Sequence, residues 1–326
     1  MRLLTPSETS LAALLLRQGG LVAVPTETVY GLAANGLDPL AVARIYAAKG
    51  RPADNPLILH VDGLEAAWPL WSLNDVQTAR LVRAATLWPG PLTLVLPASS
   101  SVPAVVTAGL STVAVRVPNH PVTLAILTEV GFPVAAPSAN RSGWPSPTSA
   151  EHVARQLSGH IDAVIDGGLC GVGVESTVVD LGAERVRILR PGAVSPEVLE
   201  ELLGEPVVRY EAAFIGASPG LRHRHYRPDV EAVVPLLDPV SAWQSADALI
   251  VFASTAGALA SQMGERAAHT EVLPDSADGA MRALYAALVG VGTSGARRVQ
   301  IELPDADRHS DSAWDAVRDR LGRATR

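Results

Sequence analysis

Residues 21–31 read LVAVPTETVYG, and this stretch decides the fold of the chain. The apolar run at its start predicts a buried strand, and the hydroxyl and carboxylate side chains after Pro25 predict the loop that leaves the strand. Loops at strand ends are where proteins with alternating helices and strands build their sites. The stretch alone therefore predicts a polar site at the edge of a sheet.

Helix and strand patterns alternate on both sides of this stretch. Thr5 to Glu8 has the form of a capping box and predicts a helix that ends at Gly19 and Gly20, while Asp38-Pro39 predicts a second helix that Gly50 ends. Further strands are predicted at Leu57–Val61, Leu92–Leu96, Val113–Val117, Val134–Ala136, Asp162–Asp166, Ser176–Leu181 and Arg185–Leu189. Further helices are predicted at Asp75–Thr86, Pro121–Val130 and Pro196–Leu203. This alternation predicts an α/β protein with a mixed sheet.

The pattern lapses near Gly204 and returns beyond Pro228. We therefore predict a first domain over residues 1–204, a linker over 205–230 and a small α/β domain over 231–326. In the last domain we expect strands at Ala248–Ala253 and Arg298–Leu303 and helices at Thr255–Met263, Ala277–Val289 and Ser312–Leu321.

Composition narrows the class of protein. The chain has 326 residues, of which 48% are hydrophobic and 18% charged, as in globular proteins. Its net charge of −7 argues against a broad nucleic-acid-binding face but leaves a local basic cleft open. Cys170 is the single cysteine, so no intrachain disulfide forms. With no apolar run near the ~20 residues of a membrane span, we expect a cytoplasmic protein.

Lys49 and Arg51 flank Gly50 just after the second predicted helix. A cation at a helix C-terminus followed by glycine is an ordinary ending, which accounts for Lys49. Arg51 lies beyond that end, between the helix and Asn55, where the helix dipole no longer explains it. The segment therefore favours a phosphate site and a purely structural turn about equally.

A loop of small residues, 137–143 (PSANRSG), follows the predicted strand at 134–136. Thr148 and Glu151 fit a capping box for the helix beyond it, which is the local explanation. The same arrangement favours anions, because backbone N–H groups and the dipole at a helix N-terminus attract phosphate.

Arg116 lies in a strand whose alternation places Thr112, Ala114 and Arg116 on one face and three valines on the other. An arginine there can pair with a ligand carboxylate or with an acidic side chain of the protein, and the sequence does not choose between them. His60 ends an apolar run, where a histidine is most often a core residue.

Familiar nucleotide motifs are missing from the sequence. It contains neither a G-x-x-x-x-G-K-[ST] loop nor a Rossmann glycine fingerprint after the first strand, and its histidines and cysteine lack zinc spacing. Any nucleotide must therefore be held by loops with cations and hydroxyl groups.

Taken together, these segments resemble the YrdC-like family of threonylcarbamoyl-AMP synthases in its long, two-domain form. The matching segments are 25–32, 49–52 with 55–57, 112–118, 138–140 with 142–143 and 146–148, 175–177 and 190–192. The resemblance implies a twisted mixed sheet with a concave basic cleft and a smaller, Rossmann-like C-terminal domain. It also implies that L-threonine, bicarbonate and ATP give threonylcarbamoyl-AMP and pyrophosphate, for threonylcarbamoyladenosine formation next to the tRNA anticodon.

Residue roles follow from the same resemblance. The catalytic group would hold ATP and the carbamate, and comprises Lys49, Arg51, Ser138 and Asn140. Further ATP contacts would come from Asn55, Thr112, Ser146, Arg190 and Tyr226. The threonine pocket would comprise Thr28, His60, Arg116 and Ser176, with Arg116 on the carboxylate. We expect Mg²⁺ to enter with ATP, bound mainly by phosphates and water, and we expect no protein metal site.

Two questions stay open at this level. The basic segment Ser218–Arg227 is either a lid that closes Tyr226 over the nucleotide or a solvated tether. The alternatives to the synthase are an RNA-binding module without catalysis and a paralogue with another amino acid. Carbamoyl transfer in hydrogenase maturation is a poor fit, because those proteins carry added zinc-binding cysteines. We expect tRNA or a downstream transferase complex as transient partners and no membrane.

Overall fold

The computed structural model describes residues 1–210, 226–245, 247–264, 269–305 and 309–325. These residues form two units. The first comprises residues 1–142, 147–171 and 175–210, and the second comprises 143–146, 172–174 and the described residues from 226 onward.

A single mixed sheet is the centre of the first unit. Its strands are β1 (Arg2–Leu4), β2 (Val22–Val24), β3 (Gly31–Asn35), β4 (Ile58–His60), β5 (Leu92–Pro97), β6 (Thr112–Arg116), β7 (Val134–Ala135), β8 (Ala163–Ile165), β9 (Thr177–Asp180) and β10 (Arg187–Arg190). They lie in the order β1-β8-β2-β3-β7-β4-β6-β5-β9-β10. Parallel pairs such as β4–β6 and β5–β9 alternate with antiparallel pairs such as β2–β3 and β5–β6, which confirms the predicted mixed sheet.

The helices of this unit are α1 (Thr9–Arg17), α2 (Pro39–Lys49), α3 (Leu64–Ala67), α4 (Asp75–Ala84), α5 (Ala104–Thr107), α6 (Pro121–Val130), α7 (Ala150–Leu157) and α8 (Pro196–Leu203), with 3-10 turns at Trp68–Leu70 and Ala85–Leu87. The prediction for α2 is confirmed at both ends: the Asp38 side chain accepts a hydrogen bond from the Leu40 N–H, and Gly50 has a φ of 61°. That left-handed conformation ends helices most easily at glycine.

Two predicted helix starts were wrong. The Glu8 carboxylate does accept the Thr5 N–H, at 2.7 Å, but α1 begins only at Thr9, because residues 5–8 form a separate turn. The cap of α7 is Ser149 and not Thr148: the Ser149 hydroxyl accepts the His152 N–H, while the Thr148 N–H donates to the His152 ring.

The two sheet faces differ in what they contact. One face packs the largest apolar cluster, in which Leu59 and Leu94 meet Val42 of α2. On the other face, α1 and α6 pack over a second cluster that includes Val24 and Ile126. Beyond that second cluster, the same face carries a small separate apolar group, Ile58, Val95, Ala114, Val178 and Leu189. By strand alternation, His60 and Arg116 share the face of this small group.

Residues 205–210 pack within the first unit. Arg80 donates from Nε and Nη2 to the two carboxylate oxygens of Glu205, at 2.8 and 2.7 Å. Val208 then pairs with β10 through the Ile188 N–H, at 2.9 Å.

The second unit has a parallel sheet in the order β11-β14-β12-β13. Its elements are β11 (Ala232–Pro235), α9 (Pro239–Ser245), β12 (Ala248–Phe252), α10 (Ala253–Met263), β13 (His269–Leu273), α11 (Ala277–Thr293), β14 (Arg298–Ile301), a 3-10 turn at Ser312–Trp314 and α12 (Asp315–Ala324). The predicted small α/β domain therefore has a wholly parallel sheet. Strands β1, β3, β11 and β13 and helices α3, α5 and α9 were not predicted from the sequence.

Candidate functional site

Lys49 ends α2, and its side chain is held by the loop that follows β7. Its Nζ donates to the backbone oxygens of Ser138 and Asn140, each at 2.5 Å, while the Ser142 N–H donates to the Lys49 carbonyl at 2.8 Å. Two segments that sequence analysis treated separately therefore form one site. Burial lowers the pKa of Lys49 well below its ordinary value; the Arg51 charge adds to this effect, and the Glu175 carboxylate opposes it.

The loop itself is ordered by its own side chains. The Ser138 hydroxyl donates to Asn140 Oδ1 at 2.5 Å, and Asn140 Nδ2 donates to the Arg141 carbonyl at 2.7 Å. Asn140 is buried, so these bonds satisfy an amide that would otherwise be costly to bury. The result is a rigid polar turn around the lysine ammonium.

Arg51 lies just beyond Lys49 and shapes the next loop. Its Nε and Nη2 donate to the carbonyls of Asn55 and Pro56, at 3.1 and 2.8 Å. Burial lowers the pKa of Arg51 to about 10, and the charge of Arg190 acts in the same direction. Lys49, Arg51 and Arg190 thus form a chain of electrostatic neighbours, which we call the cation cluster.

Arg190 brings the strand pair β9–β10 into this cluster. Its Nε and Nη2 donate to the Ser176 carbonyl, both at 3.1 Å, and Nη2 also donates to the Ser176 hydroxyl at 3.2 Å. The Ser176 hydroxyl lies 2.7 Å from that of Thr93 on β5. Gly192 allows the close approach, because a Cβ there would lie 2.3 Å from the Thr177 nitrogen. Ser176, predicted for the threonine group, therefore contacts Arg190, predicted for the nucleotide group.

A second polar group surrounds Arg116, at the end of β6. Its Nη1 donates to the Thr28 hydroxyl at 2.8 Å, and its Nε donates to the Gly90 carbonyl at 3.1 Å. Its Nη2 lies 2.7 Å from Oε1 of Glu27. His60 is paired with Arg116 in the register of β4 and β6. The structure therefore brings together three residues predicted for the threonine pocket, Thr28, His60 and Arg116.

Two histidines border this group. Burial lowers the pKa of His60 to about 3, and the Arg116 charge lowers it further, so the imidazole is neutral near pH 7. Burial also lowers the pKa of His120, against the opposing effects of a bond to Gly167 and the Glu27 charge. We call Glu27, Thr28, His60, Arg116 and His120 the Arg116 cluster.

Three further predicted nucleotide contacts each have their own surroundings. Thr112 begins β6, so it lies about 13 Å along the strand from Arg116. Ser146 is buried within the second unit. Tyr226 also belongs to the second unit, where its ring packs against Tyr285 with centroids 5.4 Å apart. Residues 218–225 of the predicted lid lie outside the described residues, and the lid stays a prediction.

Three residues in or next to these clusters had no predicted role. Glu27 contacts Arg116, His120 is affected by the Glu27 charge, and Glu175 acts on Lys49. Glu27 and Glu175 each adjoin a predicted site residue in the chain, which was the available signal. That each carboxylate lies near a particular cation is decided by the tertiary fold.

Fold and clusters together define an α/β protein that gathers cations in one polar cluster and a buried arginine–carboxylate contact in another. A family model described as "Telomere recombination", for Sua5, YciO and YrdC proteins, matches residues 14–192. A second model, described as "Threonylcarbamoyl-AMP synthase, C-terminal domain", matches residues 194–325. The chain belongs to the Sua5/YciO/YrdC family, as its sequence motifs predicted.

Relatives support this membership. A threonylcarbamoyl-AMP synthase of Pyrococcus abyssi is 50% identical over 228 residues, which cover 69% of this chain and 66% of that protein. The threonylcarbamoyl-AMP synthase of Bacillus subtilis is 47% identical over 67% of this chain and 63% of that protein. The matches thus span slightly less than two thirds of these relatives.

Solved structures extend the likeness to the whole chain. The structure of P. abyssi Sua5 complexed with L-threonine superposes with a TM-score of 0.87 at 37% identity, covering 100% of this chain and 98% of that one. Escherichia coli YciO, at 22% identity and a TM-score of 0.55, covers 61% of this chain and 98% of its own, and shows a shared fold. Within the described residues, no helix is both long and apolar enough to cross a membrane.

Proposed function

We propose that this chain is an L-threonylcarbamoyl-AMP synthase, a nucleotidyltransferase that converts L-threonine, bicarbonate and ATP into L-threonylcarbamoyladenylate and pyrophosphate. The product would serve threonylcarbamoyladenosine formation in tRNA. The observation that carries the proposal is the convergence of Thr28, His60 and Arg116 from three separate segments. Relatives named for this activity, and a related structure with L-threonine, support it.

The cation cluster is the proposed ATP side of the site. Transfer to the α-phosphorus builds negative charge on the phosphoryl oxygens and on the leaving pyrophosphate, and fixed cations stabilise that charge. Lys49, Arg51 and Arg190 would be these fixed cations. Ser138 and Asn140 would add hydroxyl and amide contacts. Asn55, Thr112, Ser146 and Tyr226 stay predicted nucleotide contacts.

Mg²⁺ is proposed to enter as part of the ATP complex. Within the described ranges, no group of three or more His, Cys, Asp or Glu side chains could hold a metal ion. In this proposal phosphate oxygens and water supply its ligands, as is common for Mg²⁺ with nucleotides. A cytoplasmic location and transient contact with tRNA or a transferase complex stay predictions.

The Arg116 cluster is the proposed threonine side. A guanidinium pairs strongly with a carboxylate, and neutral imidazoles such as His60 offer hydrogen bonds to a hydroxyl group. Threonine's amine would react with bicarbonate to form a carbamate and water. A carbamate oxygen would then attack the α-phosphorus of ATP, and the bond from that phosphorus to pyrophosphate would break.

Pyrophosphate release from ATP and bicarbonate tests the proposal, with threonine, serine, valine or no amino acid. We expect release that requires both threonine and bicarbonate. Serine should be the poorer substrate, because one lost methyl group in a fitted pocket is worth about 1–3 kcal/mol. Folded protein that binds ATP without threonine-dependent release would contradict the synthase and favour a binding module or another amino acid.

A further inference from the structure

The Arg116 cluster contains more buried polar atoms than its own hydrogen bonds use. Among the described residues, the buried atoms without a hydrogen-bond partner include both carboxylate oxygens of Glu27, Nη2 of Arg116 and the Nδ1 atoms of His60 and His120. An unpaired buried polar group costs about 1–3 kcal/mol, so such groups are rare singly and rarer together. Their concentration around the contact between Arg116 and Glu27 indicates a site for a polar ligand.

The contact between Arg116 and Glu27 differs from the arginine–carboxylate pairs made by Arg80 and Arg187 in this unit. Its atoms lie 2.7 Å apart but are misaligned, so no hydrogen bond forms. By contrast, Arg80 donates twice to Glu205, at 2.8 and 2.7 Å. Arg187 likewise donates twice to Asp180, at 3.0 and 2.7 Å. Those pairs are satisfied within the protein, whereas Glu27 and Arg116 both keep bonding capacity for another molecule.

We propose that Glu27 binds the α-ammonium group of the amino-acid substrate while Arg116 binds its carboxylate. The inference rests on the proposed function and adds a specificity-determining residue to it. A free amino acid carries both charges a few ångströms apart, with three N–H donors on one side and carboxylate acceptors on the other. The unused acceptors of Glu27 and the unused donor of Arg116 match this pattern.

The two histidines near Glu27 and Arg116 place no competing cation in this site. The Glu27 charge acts on His120, and burial disfavours the protonated form of that imidazole. His60 is neutral for the same reason. Neither histidine therefore supplies a competing cation near pH 7, and their unpaired Nδ1 atoms are suited to an uncharged group such as a hydroxyl.

Equilibrium binding of three matched ligands tests the role of Glu27: L-threonine, 3-hydroxybutyrate without the amine, and 1-amino-2-propanol without the carboxylate. Wild-type protein should prefer threonine to either analogue by at least about tenfold. Glu27→Gln should weaken threonine binding by about 10- to 100-fold. It should leave 3-hydroxybutyrate binding unchanged or tighter, because a carboxylate that competes for Arg116 is gone.

Glu205→Gln is the matched control, since it removes the carboxylate from the Arg80 pair of the same unit. All three affinities should stay at the wild-type level in that variant. Glu27→Asp keeps the charge and should retain the preference for threonine over 3-hydroxybutyrate. If Glu27→Gln shows no melting transition, and so does not fold, the Glu27→Asp affinities test the role of Glu27 instead.

Three results would overturn the inference: threonine affinity within twofold of wild type in Glu27→Gln, equal loss of threonine and 3-hydroxybutyrate, or no threonine preference in the wild type. The first would show that Glu27 has no part in threonine binding, and the second would make Glu27 a partner that only orients Arg116. Failure of the proposed function is a separate result, because wild-type protein would then prefer threonine in binding without releasing pyrophosphate.

Discussion

Lys49 shows how one side chain satisfies local structure and the site at once. As the last residue of α2, followed by Gly50 in the left-handed conformation, it is a normal helix ending. Its Nζ also bonds two carbonyls of the loop 137–142, which no rule of helix endings requires. The local explanation and the functional one are therefore both correct for this residue.

Arginine substitutions should separate the two substrates. Arg116→Ala should weaken the use of threonine and Arg51→Ala the use of ATP, each by roughly 10- to 150-fold, because a charge-assisted contact is worth about 1.5–3 kcal/mol. Steady-state kcat/KM for each substrate checks this. Near-wild-type kinetics in both variants would contradict the assigned roles.

His60 should make the protein less stable in acid. Its pKa is about 3 in the folded chain against an ordinary value of 6.5. Between these values the unfolded chain binds a proton that the folded chain does not, so the free energy of unfolding falls as pH falls below 6.5. The urea midpoint measured from pH 6.5 to 5 should drop less in His60→Gln than in wild type. His160→Gln, at an exposed position, should keep the wild-type slope, and equal slopes in all three would contradict the prediction.

At the scale of elements, helix α2 begins at the Asp38 cap and ends at Lys49, a residue of the cation cluster. Asp38→Ala should lower the free energy of unfolding by about 1 kcal/mol, since the Leu40 N–H loses its acceptor. Urea unfolding measures the loss. Glu201→Ala, an exposed change within α8, serves as the control and should stay within about 0.5 kcal/mol of wild type. Equal losses in the two variants would count against the cap.

Elements with strong local signals were predicted well, and those without them were missed. The helix α6 was predicted at its observed bounds, Pro121–Val130, because proline and glycine mark its ends. Strand β3 is GLAAN, with no β-branched or aromatic residue, and it forms because its neighbours β2 and β7 pair with it. Strand β1 has three residues and depends on its pairing with β8.

At the scale of the molecule, substrates should stabilise the unit that binds them. Threonine at 100 times its dissociation constant should add about 2.7 kcal/mol to the free energy of unfolding. Differential scanning calorimetry should show a concentration-dependent rise in Tm for wild type that is much smaller for Arg116→Ala. A Tm in wild type that is independent of threonine would contradict the proposed pocket.

The sequence by itself determined the class of fold, the family and the position of the polar loops, because these depend on local patterns and motif order. Tertiary structure decided which charges meet. The sequence did not decide whether Arg116 pairs with a ligand carboxylate or with an acidic side chain. The fold places Glu27 beside Arg116 without a hydrogen bond between them. It also paired Ser176 with Arg190, because β9 and β10 are neighbours in the sheet. Distances between segments that are remote in the chain come from packing and strand order, which local sequence patterns do not specify.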